Sequence, residues 1–165
     1  MSRPHAGPPQ NAVATAAAAA GLHIEIVEYP EGTRTAEDAA RAIGCDVAQI
    51  VKSLVFEAVG PGADRLVLAL VSGANQLDTA KLASAAAAER TRRVDADRVR
   101  AATGFAIGGV PPFAHREALG CYVDEQLLAH PVLWAAAGTP RSVFAIAPGD
   151  LVTLSAGVVC DLRQD

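Results

Sequence analysis

The chain has 165 residues, of which 51% are hydrophobic and 19% charged, so it is long enough for one ordinary core and too apolar to be disordered. Its formal net charge of −4 excludes a protein that coats nucleic acid through bulk electrostatics. Its apolar runs break well before the ~20 residues a membrane span requires. Cys45, Cys121 and Cys160 are far apart and lack paired metal spacing, which reads as a reduced, cytoplasmic protein with buried thiols.

Residues 1–21 read as an N-terminal alanine-rich surface helix, with Asn11 as N-cap and Gly21 as its stop. Two prolines and a polar Gln-Asn pair precede the alanines and no leucine-rich stretch follows, which argues against a secretory signal. The remainder, 22–165, reads as one domain. LHIEIVEY from Leu22 alternates as a half-buried strand, and PEGTR, residues 30–34, turns the chain. Thr35 and Asp38 resemble a capping box that opens the helix AEDAARAIG, with Gly44 ending it. KSLVFEAV and RLVLALV are joined by GPGAD, a hairpin connection, so Lys52 stands at the start of an antiparallel strand.

Asp78 caps the helix TAKLASAAAAE, TRRV forms a short strand, and Asp95 caps ADRVRAAT before Gly104. GFAIGGVPPFAH reads as a strand that stops at a Gly-Gly and a Pro-Pro pair, where regular backbone cannot continue. CYVDE, VLWAAAG and SVFAIA are short strands, PGDLVTL a short helix and GVVCDL a last strand. The predicted fold class is α+β, a single domain with a mixed, largely antiparallel sheet and packed helices.

No nucleophile elbow, P-loop, zinc-protease or dinucleotide motif is present. Ser72 in VSGAN lacks the glycine an elbow requires and reads as the polar end of a strand. His5, His23, His115 and His130 have no ligand spacing, so neither a metal nor a cofactor is expected. Trp134 reads as core. Two features stand above this background: Lys52, an ammonium inside the apolar run QIVKSLVF, and the GGVPPF loop from Gly108 to Phe113. Each has a plain alternative, a lysine that snorkels to solvent and a structural turn. Arg90, Arg92, Arg93, Arg98 and Arg100 form a mixed-sign run with Glu89, Asp95 and Asp97. They read as a solvated face, or alternatively as a landing surface for an acceptor stem.

In their order, IVKSLVF with its hairpin, SGANQLDTAKL, TGFAIGGVPPF, YVDEQLL and WAAAGTP resemble the YbaK-type aminoacyl-tRNA deacylases. That family is related to the editing insertion of bacterial prolyl-tRNA synthetase, and the resemblance runs from about Leu22 to Leu162. It implies a curved, mostly antiparallel mixed sheet forming a partly closed barrel with surrounding helices. It also implies a cytoplasmic, cofactor-free editing domain over residues 22–165. The implied reaction is hydrolysis of the ester joining a wrong small residue, such as cysteine or alanine, to tRNA(Pro), with prolyl-tRNA synthetase as a possible partner.

The resemblance places Lys52 at the active site and the loop Gly108 to Pro112 against the substrate. Gly108 and Gly109 would aim backbone N–H groups at the developing oxyanion, while Val110 and Pro112 border the substrate. Thr35 stands where many cysteine-directed relatives carry tyrosine, and Ala136 where they carry serine, just before Ala137 and Gly138. Thr35, Ala136 and Gly138 are therefore expected at the pocket that selects the amino acid. Asp124 matches an acidic position common in relatives, with an exposed strand-end carboxylate as the competing reading. Two rival functions stand beside the hydrolase: a silent module that binds the CCA end or the synthetase, and an enzyme forming a Schiff base through Lys52.

Overall fold

The structure, a computed structural model, describes residues 7–29 and 35–165; the turn expected at residues 30–34 lies outside the described residues. Helix α1 spans Pro8–Ala19. It begins earlier than the Asn11 cap expected from sequence: Gly7 is the N-cap, and Asn11 already donates its backbone N–H to the Gly7 carbonyl at 2.9 Å. The prolines explain the shift, because their fixed φ suits a first helical turn where an N–H would be unpaired anyway. Gly21, at φ +81°, ends the helix as expected. The helix is only partly a surface element, since Gln10, Val13 and Ala17 are buried.

The first strand, β1, is short, Ile26–Glu28. Helix α2 follows at Ala36–Ile43, with Thr35 Oγ1 accepting from the Asp38 N–H and Gly44 in the left-handed region at its end. The hairpin pairs β2, Val51–Val59, antiparallel with β3, Arg65–Ser72, in the expected place. Asp78 caps α3, Thr79–Ala85, which stops short of the expected end at Glu89. Next come β4, Arg90–Arg93, and α4, Ala96–Thr103, capped by Asp95. The strand expected over GFAIGG is absent: Gly104 and Gly108 both take positive φ and a turn closes between them and Val110. The chain ends through β5 (Gly120–Asp124), β6 (Leu133–Ala136), β7 (Ser142–Ile146), α5 (Pro148–Ser155) and β8 (Val158–Cys160).

Among the described residues the strands form two sheets, one of order β1-β7-β6 and one of order β4-β2-β3-β5-β8. Most pairings are antiparallel; β3–β5 and β5–β8 are parallel. The α+β class stands, but the partly closed barrel is corrected, because neither sheet closes. The reason lies along β2. Among the described residues it pairs with β4 only over Phe56–Val59, and the residue before it, Ile50, makes the one bridge to the other sheet, with Trp134. The edge between those two contacts is open, and no continuous ladder passes round.

Strand alternation divides the core. Val51 and Val55 pack into a cluster with Val13, Phe105, Val110, Phe113 and Phe144, while Leu54, Phe56 and Ala58 face a second cluster with Leu77, Leu82 and Leu162. Lys52 shares the face of Leu54 and Phe56. No helix among the described residues is long and apolar enough to cross a membrane.

Candidate active site

Two adjoining cavities, of about 530 and 370 Å³, occupy the gap beside the open edge of β2. They share Lys52, Ser53, Leu54, Ile107, Gly108 and Val110, so the lysine strand and the glycine loop line the same space. The larger cavity adds Phe56, Gln76, Thr79, Arg93 and Gln164. The smaller adds Thr35, Ala36, Ala39, Trp134, Ala136 and Val143. The larger thus sets two amides and a guanidinium among apolar side chains that include Val55, Leu77, Val94 and Val99, while the smaller adds mainly small and apolar side chains.

Lys52 is half-buried and its Nζ donates to the Asn75 carbonyl. Burial pushes its pKa below the ordinary lysine value of 10.5, with the Glu37 carboxylate opposing part of that shift. A backbone carbonyl satisfies one N–H of the ammonium without neutralising its charge. That charge is left facing the cavities.

The loop is built differently from the expected glycine pair. Gly109 donates its N–H to the Ala106 carbonyl at 2.9 Å, closing a turn, so its amide is not free for a substrate. Gly108 and Val110, which line both cavities, carry amides that donate to no group among the described residues. Gly109 instead allows close packing: a Cβ there would lie 2.7 Å from Thr139 Cα. Pro112 is buried outside both cavity walls. Beside it, Phe113 meets Phe144 edge-on at 5.7 Å and the Pro111 carbonyl accepts from His115 Nε2 at 2.7 Å, which together anchor the loop.

Thr35 and Ala136 lie on the wall of the smaller cavity. Gly138 lies outside it. Its positive φ and the closeness of Pro9, whose carbonyl oxygen would sit 2.8 Å from an added Cβ, make it the seat of α1. Asp124 also lies outside both cavities, and the exposed strand-end carboxylate is corrected: the residue is fully buried. Its Oδ1 accepts from the Leu162 N–H at 2.8 Å and its Oδ2 from the Gln126 N–H at 3.3 Å. Ser72 is structural, donating to the Ala48 carbonyl.

The arginine run divides. Arg98 and Arg92 both grip Glu57, at 2.6 and 2.5 Å, and Arg92 also reaches Asp64. Their main counter-charge is thus Glu57 on β2, not the Glu89, Asp95 and Asp97 of their own segment. Glu57 is 4% exposed, and hydrogen bonds from Arg98 and then Arg92 hold its pKa at about 2, against an ordinary 4.5. A carboxylate depressed in the folded state contributes stability above its unfolded pKa and loses it as pH falls toward the folded value. Glu57→Gln should therefore lower Tm near neutral pH and flatten the fall in Tm between pH 4.5 and 2; thermal melts across that range measure it.

Sequence reasoning missed Phe56, Gln76, Arg93, Ile107, Trp134 and Gln164 as wall residues. Alternation from Lys52 could have found Phe56. Ile107, 56% exposed despite its apolar side chain, had a signal only in its position before the glycine pair. Trp134, read as core, is half-buried on the smaller cavity.

Comparison with known proteins identifies the family. The family model of the aminoacyl-tRNA editing domain matches residues 30–154. YwhH of Bacillus subtilis is 28% identical over 131 residues, covering 79% of this chain and 81% of that protein. EbsC of Enterococcus faecalis, named as a candidate Cys-tRNA(Pro)/Cys-tRNA(Cys) deacylase, is 25% identical over 136 residues, covering 81% and 80%. A crystal structure described as a candidate trans-editing enzyme for prolyl tRNA synthetase superimposes with a TM-score of 0.88 at 44% identity, covering 96% of this chain and 99% of that one. The chain belongs to the aminoacyl-tRNA editing domain family.

Proposed function

We propose that the protein is a free-standing trans-editing hydrolase that cleaves the ester of a small amino acid, cysteine or alanine, from mischarged tRNA(Pro). The observation that carries this reading is the meeting of two unlike cavities at Lys52 and the Gly108–Val110 loop. An aminoacyl ester has the matching two halves: a terminal nucleotide, suited to Phe56, Gln76, Arg93 and Gln164, and a small side chain, suited to the wall of Ala36, Ala39, Trp134 and Ala136. Its carbonyl then lies at the junction.

As water attacks, the carbonyl oxygen gains negative charge, which the amides of Gly108 and Val110 stabilise; collapse then breaks the acyl–oxygen bond, and the departing ribose oxygen takes up the proton that the water gives up. Lys52 holds a ribose or phosphate oxygen through a charge-assisted hydrogen bond and fixes the ester against the loop. An aminoacyl ester is already activated, so the reaction requires no protein nucleophile. Of the basic run, Arg93 is the member placed to meet a phosphate, since Arg92 and Arg98 are spent on Glu57. Prolyl-tRNA synthetase, as the source of the mischarged substrate, is the natural partner, and the cytoplasm the natural setting.

The smaller cavity supplies the test. Ala136→Val adds two methyl groups to its wall and should lower kcat/KM for alanyl and cysteinyl esters by about 10-fold or more, while a glycyl ester loses much less. Single-turnover deacylation of the three esters gives the comparison. An equal loss for all three would show that the cavity does not select the side chain.

A further inference from the structure

We infer that Asp124 is a positioning residue for Lys52, acting through the segment Asp161–Gln164, which straps down the turn that holds the lysine. This rests on the role given to Lys52 above. A fully buried carboxylate is costly unless its oxygens are used, and Asp124 lines neither cavity. One of its oxygens fixes the N–H of Leu162, itself fully buried.

From Leu162 the contacts run in one direction. The Leu162 carbonyl accepts from the Asp78 N–H at 2.7 Å, Leu77 bridges to Arg163, and Gln164 donates its N–H to the Gln76 carbonyl at 2.9 Å. The Gln164 side-chain amide adds a bond to the Leu77 carbonyl at 3.2 Å. Residues 76–78 thus gain a short added strand. The next residue back is Asn75, whose carbonyl receives Lys52 Nζ. Lys81 locks the outer side of the strap by reaching Asp161, the Arg163 carbonyl and Asp165 at 3.0, 2.7 and 3.2 Å.

Between Ser72 and Asp78 the turn has few other ties. Gly73 donates to Ile50 and Asn75 to Ser72, and the Ala74 N–H leans on Ser72 Oγ at 3.3 Å. A loosened strap would leave the Asn75 carbonyl free to swing away, and the ammonium would follow it or hydrate. Because Gln164 also lines the larger cavity, the strap forms part of the wall whose lysine it orients.

The experiment compares wild type, Gln164→Ala and Asp124→Asn, following the Lys52 side chain by 13Cε chemical shift through a pH titration, alongside steady-state deacylation. In both variants the Lys52 midpoint should move away from its wild-type value, because the ammonium loses its fixed carbonyl acceptor and changes its exposure. kcat should fall about 10-fold in both, KM should be little changed in Asp124→Asn, whose side chain lines neither cavity, and no further loss of kcat should appear when Asp124→Asn is placed on Lys52→Met. An unmoved midpoint and unchanged kcat in folded Gln164→Ala would overturn the inference. Should Asp124→Asn fail to fold, Gln164→Ala, which deletes one bond at an exposed residue, still decides it. A wild type that cleaves no aminoacyl ester, with a midpoint that moves in Gln164→Ala, would keep the strap and end the hydrolase reading instead.

Discussion

Lys52→Met is expected to lower kcat for aminoacyl-ester hydrolysis by about 10²–10³-fold while leaving Tm within a few degrees of wild type. Methionine keeps the length and apolar stem of the lysine beside Leu54, so packing in the strand is retained. No carboxylate bonds Lys52 among the described residues, and its removal therefore leaves no buried charge unpaired. The Asn75 carbonyl it abandons is beside a cavity that water can enter. What disappears is the cation at the junction of the two cavities.

The same residue sets a pH limit. In the proposed reaction the charged form holds the substrate, and burial favours the neutral form, so activity should decline as pH rises through a value below 10.5. A mutant that melts far below wild type would assign Lys52 to packing. A folded mutant with full activity would remove it from the mechanism. Trapping of the wild type by borohydride with a carbonyl substrate would favour a Schiff base instead.

Gly109→Ala should be the most damaging single methyl group in the loop, with kcat reduced about 100-fold and Tm lowered by about 5–10 °C. The added Cβ would sit 2.7 to 2.9 Å from three backbone atoms of Thr139, none of which can turn aside as a side chain would. The loop must shift as a unit, carrying Gly108 and Val110 with it. Gly108→Ala is the control. Its Cβ would meet only the Pro140 side chain, at 3.6 and 3.7 Å, and its cost comes from the left-handed φ of +88°, roughly 1–2 kcal/mol. Melts and single-turnover kinetics of the two variants should separate them, Gly109→Ala losing more of both quantities. The reverse order would mean that the loop does not rest on the Thr139 turn.

Much of the fold was legible because local chemistry and tertiary context agree. Asp78, Asp95 and Thr35 cap the helices that follow them, and the GPGAD connection closes the hairpin that carries Lys52. Where the two conflict, the reading failed. Alanine content favoured helix as far as Glu89, but the last turn gives way after Ala85 so that Glu89 can join the edge of β2. GFAIGG has strand composition, yet its glycines fold it into turns. The site was half legible for the same reason. Lys52 and the glycine loop announce themselves by a charge in an apolar run and by clustered glycine and proline. The buried roles of Glu57 and Asp124 depend on partners 35 and 38 residues away, which no local pattern encodes.

The central claim is most directly tested by incubating the purified protein, wild type and Lys52→Met, with a panel of mischarged transfer RNAs and following loss of the ester. The account predicts that wild type clears cysteine or alanine from tRNA(Pro) and spares correctly charged Pro-tRNA(Pro), and that Lys52→Met is near background throughout. Binding of transfer RNA with no ester loss from any member of the panel would contradict it, and would make the two cavities a recognition site for the CCA end with no chemistry attached.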